Sequence, residues 1–198
     1  MLSTLRNLNQ VILAEGKNLN LNITSKKTEN YTPSKKVALT GVMAALIAVT
    51  TIIAIPLPPP LSTINLAPII IFAVSILLGP KVGVTSTAIG CAIGYLAGTS
   101  IGTILIPPGF VYIYLFGLVV ARSPMALAVG VLRKKSEIAG MVLGVVIETL
   151  IFFAIDFALF GLGFAVFDFA TFVDLIFVPV TFAVLIAVRR FLDTKYLT

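Results

Sequence analysis

The 198-residue sequence contains no histidine, no tryptophan and a single cysteine, and only 11% of its residues are charged. Without histidine there is no imidazole general base and no Ser-His or Cys-His nucleophile pair. One thiol without histidine also cannot build a His/Cys zinc, copper or nickel site, so no metal centre is expected. Cys91 lies within an apolar run and reads as a small buried hydrophobe that reports nothing about a disulfide compartment. No G-x-x-x-x-G-K-[ST] loop is present, since Gly79-Pro80-Lys81-Val82-Gly83 has its lysine misplaced, which excludes P-loop ATP hydrolysis by this chain. The low charge accompanies 59% hydrophobic residues, whereas soluble domains carry about 25% charged residues. A soluble globular domain is therefore excluded.

What the sequence has is long apolar runs. Leu66 to Gly98 holds two of them, meeting at Gly79-Pro80-Lys81, and the second carries Gly90, Gly94 and Gly98 at four-residue spacing. Such a pair reads as a tight membrane hairpin: Gly79 and Pro80 stop the first helix, Lys81 holds the turn in water, and the glycine row lets another helix approach closely. Six apolar segments follow along the chain, about Val37 to Ile55, Leu66 to Leu78, Val82 to Ala97, Phe110 to Leu132, Ile138 to Leu162 and Phe167 to Val188. They are too long for barrel strands, so the expected fold is an all-α integral membrane protein with six transmembrane helices. The second and third segments fall short of the ~20 residues that cross a bilayer, which implies tilt, extension or partial re-entry.

All but Arg122 of the fourteen Lys and Arg fall before the first segment, between the second and third, between the fourth and fifth, or after the sixth. By the positive-inside rule, both termini and the basic loops are cytoplasmic, and the protein is expected in the cell membrane. Residues 1–33 lack the continuous apolar run of a secretory signal and read as a polar cytoplasmic tail, with residues 34–198 forming the membrane domain. The Asn22-Ile23-Thr24 and Asn30-Tyr31-Thr32 sequons then face away from glycosylation. On the opposite side, Pro56 to Asn65 and Thr99 to Gly109 are proline-bearing and uncharged. They either end helices or form lids over an outward-facing pocket, with Asn65 available to a ligand.

Arg122, Glu148, Asp156 and Asp174 lie inside apolar segments, where each costs roughly 2.5 to 3.5 kcal/mol near the bilayer centre. At ~1.5 Å per residue, Arg122 lies about 18 Å below the outer start of its span and Glu148 about 15 Å above the inner start of its own. These depths nearly match, which predicts an ion pair that is either structural or part of a ligand site. Gly140-xxx-Gly144-xxx-Glu148 carries a small-residue face straight to the acid, aiming it into the bundle. Asp156 and Asp174 belong to the outer half, Asp168 reads as a helix cap, and Tyr95, Tyr112 and Tyr114 lie at the outer interface as an anchor belt or an aromatic cage. The substrate-binding candidates are therefore Asn65, Tyr95, Tyr112, Tyr114, Arg122, Glu148, Asp156 and Asp174. In the first segment, Gly41-xxx-Ala45 and Ala44-xxx-Ala48 form a small-residue surface suited to packing within the monomer or to docking a partner.

This arrangement resembles the substrate-binding S component of energy-coupling factor (ECF) vitamin transporters. KKVALTGVMAALIAV is similar to that family's small-residue first helix, APIIIFAVSILLGPKVGVTSTAIGCAIGYLAG to its hairpin, and GFVYIYLFGLVV leads to a basic LRKK loop; together they cover about Lys35 to Arg190. The resemblance implies a non-enzymatic subunit that captures a vitamin or related heterocycle outside the cell, beneath a lid of Pro58 to Asn65. It further implies docking through Gly41, Ala44, Ala45 and Ala48 onto a transmembrane coupling subunit and two ATPases. No cofactor would reside in this chain, and ATP would be used by those partners. The excess of Glu148, Asp156 and Asp174 over Arg122 points weakly to an amine-bearing ligand such as thiamine, with riboflavin-like neutral heterocycles equally open. Two other classes are a stand-alone small-solute carrier or channel acting as a homo-oligomer, and a membrane enzyme using only Asp, Glu and Arg.

Overall fold

The computed structural model of the chain describes residues 32–56, 63–106 and 108–196, so the polar tail up to residue 31, with both sequon asparagines, and lid residues 57–62 lie outside the described residues. Helix α1 spans Pro33–Ile52, α2 Ala67–Leu78, α3 Pro80–Ile101, α4 Val111–Leu132, α5 Glu137–Phe160 and α6 Phe177–Tyr196. Among the described residues, five helical stretches are long and apolar enough to cross a membrane, the last running from Leu162 to Arg190, while α2 is a shorter apolar helix.

Two expected boundaries shift for identifiable reasons. The third segment is longer than its apolar run because Pro80 occupies the first turn of α3, where its missing N–H costs nothing, and Thr99 and Ser100 turn their hydroxyls back onto the Leu96 carbonyl. With 22 residues it spans roughly 33 Å, and Gly102 ends it at φ 80°. The sixth span does not begin as a regular helix. A short helical turn, Leu162–Ala165, leads into an 11-residue 3-10 segment, Val166–Ile176, before α6 starts. The Thr171 hydroxyl donates to the Asp168 carbonyl three residues back, and the rings of Phe169 and Phe172 stack in the i, i+3 register that a 3-10 helix aligns.

A feature absent from the expectation is a small antiparallel sheet. Strands β1 (Ala54–Pro56) and β2 (Thr63–Asn65) pair Ala54 with Asn65 and Ile55 with Ile64, so the proline-bearing connection is partly strand.

The glycine row of α3 sets the packing of α1. A Cβ on Gly90 would lie 2.6 Å from the Ala44 carbonyl oxygen, and one on Gly94 would lie 2.6 Å from that of Ala48, so α1 and α3 touch backbone to backbone. The third member, Gly98, makes room for Ile104 in the chain that follows its own helix. Residues proposed as one docking face therefore divide: Ala44 and Ala48 are buried against α3, whereas Gly41 and Ala45 remain exposed. Antiparallel α4 and α5 pack through matched steps, Val129 at Gly140 and Met125 at Gly144.

At the end carrying the basic loops, Gly79 adopts φ 92° between α2 and α3, a conformation that favours glycine, and the Arg133 guanidinium lies against it. Arg133 Nη1 donates to the Ile76 carbonyl at 3.2 Å, supplying a cation to the C-terminus of α2. Ser136 caps α5 by accepting from the Ala139 N–H, and Glu137 in that first turn takes both arms of Arg189 from α6. Four helices are thus fastened together at one end of the bundle.

Replacing Gly94 by alanine pushes a methyl group onto the α1 backbone and is expected to lower stability by about 1–3 kcal/mol. Gly41→Ala, with nothing within 4 Å, leaves it unchanged or slightly raised, and thermal unfolding of the detergent-solubilised protein distinguishes the two.

Candidate functional site

The register that seats Val129 on Gly140 and Met125 on Gly144 places Arg122 opposite Glu148 one step further along. Arg122 Nε donates to Glu148 Oε1 at 2.9 Å, with the two residues 5% and 1% exposed. The ion pair expected from matched depths is therefore present. Pairing a full cation and anion in so dry a place stabilises only because each supplies what the other lost on leaving water.

Two further elements converge on the guanidinium. Arg122 Nη1 donates to Asn65 Oδ1 at 3.2 Å and lies 3.9 Å from Cys91 Sγ on α3. Asn65 Oδ1 also accepts the Ala67 N–H, so one side chain closes β2, opens α2 and holds Arg122. Cys91, read from the sequence as a plain hydrophobe, stands in contact with a charged group and with Thr51 of α1. Asp174 of the 3-10 segment is buried within electrostatic reach of both Arg122 and Glu148. Asn65, Cys91, Arg122, Glu148 and Asp174 thus form one cluster fed by five elements. Glu148 Oε2 within it is buried and has no hydrogen-bond partner among the described residues.

A second cluster lies toward the end away from the basic loops. The carboxyls of Asp156 on α5 and Asp168 lie within electrostatic reach of each other, each with one buried oxygen that has no hydrogen-bond partner among the described residues; Ala165, not Asp168, holds the cap position of the 3-10 segment. Tyr114 lies in electrostatic reach of both acids and of Tyr95, whose hydroxyl is buried without a partner. Phenyl rings border this cluster: Phe160 packs on Phe110 at 5.4 Å and on Phe164 at 5.0 Å, and stacks on Tyr114 at 6.5 Å. The Thr149 and Thr171 hydroxyls, 2.7 Å apart, tie α5 to the 3-10 segment between the clusters.

Of the eight candidate binding residues, the structure brings seven into these two groups. Tyr112 is the exception, 77% exposed on an apolar surface groove with Ile113, Phe116, Ile155, Ala158 and Leu159. One residue before Ile113 and two before Tyr114, it points outward because helical neighbours diverge by about 100°.

Arg122→Leu or Glu148→Leu alone leaves a buried charge without its counterpart and is expected to cost about 3–5 kcal/mol of stability. The double Leu variant recovers most of that loss, as read by thermal unfolding in a double-mutant cycle.

Comparison with known proteins adds one match: the family model described as ECF-type riboflavin transporter, S component, covers residues 32–189. Neither the curated proteins nor the solved structures return a match. The match spans the whole described bundle from α1 into α6, agreeing with multi-pass apolar helices and a buried polar centre, and the family is one of transporter subunits rather than enzymes. The chain belongs to the ECF-type riboflavin transporter S component family, the substrate-binding membrane subunits of vitamin transporters.

Proposed function

We propose that this chain captures riboflavin outside the cell and delivers it inward as part of an ECF importer. The observation that carries the substrate is the match to the riboflavin S component model along residues 32–189. The polar groups are compatible with a neutral heterocycle. Glu148 is taken by Arg122, which removes it from the acid excess read from the sequence as a partner for a cationic ligand. The ligand would lie between β1–β2 and the 3-10 segment, meeting Asn65, Arg122, Glu148 and Asp174 at its deep end and Tyr95, Tyr114 and Asp156 at its outer end.

The basic loops are assigned to the cytoplasm by the positive-inside rule, which leaves the strands and the aromatic border outside. A transmembrane coupling subunit would meet the exposed strip of α1 that includes Gly41, Ala45, Val42 and Val49, and two ATPase subunits would consume the ATP. No observation favours a stand-alone channel.

Riboflavin fluorescence is expected to be quenched saturably by the purified full chain, and excess thiamine is not expected to reverse it. Thiamine displacing riboflavin, or no quenching, overturns the assignment. Arg122→Gln is expected to weaken binding by about tenfold or more, the loss of one charged hydrogen bond, whereas Tyr112→Ala leaves it unchanged. Ala45→Leu is expected to keep ligand binding and to lose co-purification with the coupling subunit.

A further inference from the structure

Helical hydroxyls in this protein mostly satisfy themselves. Thr51, Thr85, Ser86, Thr99, Ser100 and Thr149 each donate to a carbonyl three or four residues earlier in their own helix. Ser75, Thr87, Ser123 and Thr181 do not: none of these buried hydroxyls has a partner among the described residues, and Ser75 and Thr87, both fully buried, lie on the adjoining helices α2 and α3. In a bilayer such groups have no solvent to fall back on, so their hydrogen bonds must be met within the protein or by ordered water.

Ser75 and Thr87 belong to a single line. Gly83, Thr87 and Cys91 recur every four residues on α3, all buried, and Ser75 of α2 faces Gly83, its Oγ 2.5 Å from where a Cβ would be. At the far end, Cys91 Sγ lies 3.9 Å from Arg122 Nη1, whose partner Glu148 keeps Oε2 buried and unbonded. Four helical residues rise ~6 Å, about twice the ~2.8 Å between hydrogen-bonded oxygens, a spacing that one bridging water per level matches.

We propose that internal water forms a file along this line, from Ser75 near the basic end past Thr87 to Cys91 and Glu148, hydrating the buried ion pair from that end. Water on this route gives Ser75, Thr87 and Glu148 Oε2 the partners that the protein does not supply. It enters from the basic end, opposite the end from which a ligand would reach the same cluster.

Cys91 is the sequence's single thiol and so reports the file directly. The ligand-free full chain in lipid nanodiscs is moved to heavy water; the infrared S–H band is followed beside amide exchange in α3 by mass spectrometry. The thiol is expected to exchange while the surrounding α3 amides remain protonated. Thr87→Val, which keeps the shape and removes the hydroxyl, is expected to slow thiol exchange by about tenfold. Should that variant not fold, Ser75→Ala gives the same reading. A thiol band that persists as long as the amides overturns the proposal. Rapid exchange unaltered by Thr87→Val and Ser75→Ala also overturns it, because water would then arrive from the other end.

Discussion

The contact between Arg122 and Glu148 constrains the bundle more than any other. Two charges at mid-depth in an apolar protein are tolerable only while they face each other, and facing requires α4 and α5 to hold one register. Gly140 and Gly144 supply that register by admitting Val129 and Met125, so the small-residue face and the ion pair are one device. Asn65 then extends the constraint across the bundle, since the oxygen that receives Arg122 also opens α2. Losing the guanidinium would disturb the strand connection as well as the helix pair.

The two ends of the bundle are built differently around this centre. At one end, Arg133 and Arg189 bind a helix C-terminus and a helix N-terminal acid, and Gly79 makes the tight turn between α2 and α3. At the other end, short strands, a 3-10 segment and a border of phenyl rings replace regular helix, and the buried polar atoms of Tyr95, Asp156 and Asp168 have no hydrogen-bond partner among the described residues. Geometry with poorer hydrogen bonding than an α-helix is thus concentrated at this one end of the bundle.

The depths of Arg122 and Glu148, the GP turn and the close approach along Gly90 and Gly94 were all legible in the sequence, because each follows from helical rise or from glycine's missing side chain. The strands were not, since three-residue runs such as Ala54–Pro56 carry no periodicity and prolines argue against a ladder. The 3-10 segment was hidden because Val166–Ile176 is as apolar as the helices around it, and its period shows only in the stacking of Phe169 on Phe172. Two small-residue stripes on α1 were visible, but the one meeting α3 is fixed by helix azimuth, which places Ala44 and Ala48 inside and leaves Gly41 and Ala45 out. The nearness of Asp168 to Asp156 was beyond reach because it depends on that irregular segment.

Helix α2, at 12 residues, rises only about 18 Å, far less than a hydrocarbon core of about 30 Å. Its Asn65 end therefore stops well short of the far interface, and the described chain next to that end, Thr63–Asn65, is strand rather than helix. Bare peptide groups are not tolerated there, which gives the β1–β2 ladder its necessity: it pairs amides that a coil would have left dry. The short helix and the strand that precedes it thus act as one unit, the ladder covering polar backbone where α2 is too short to do so.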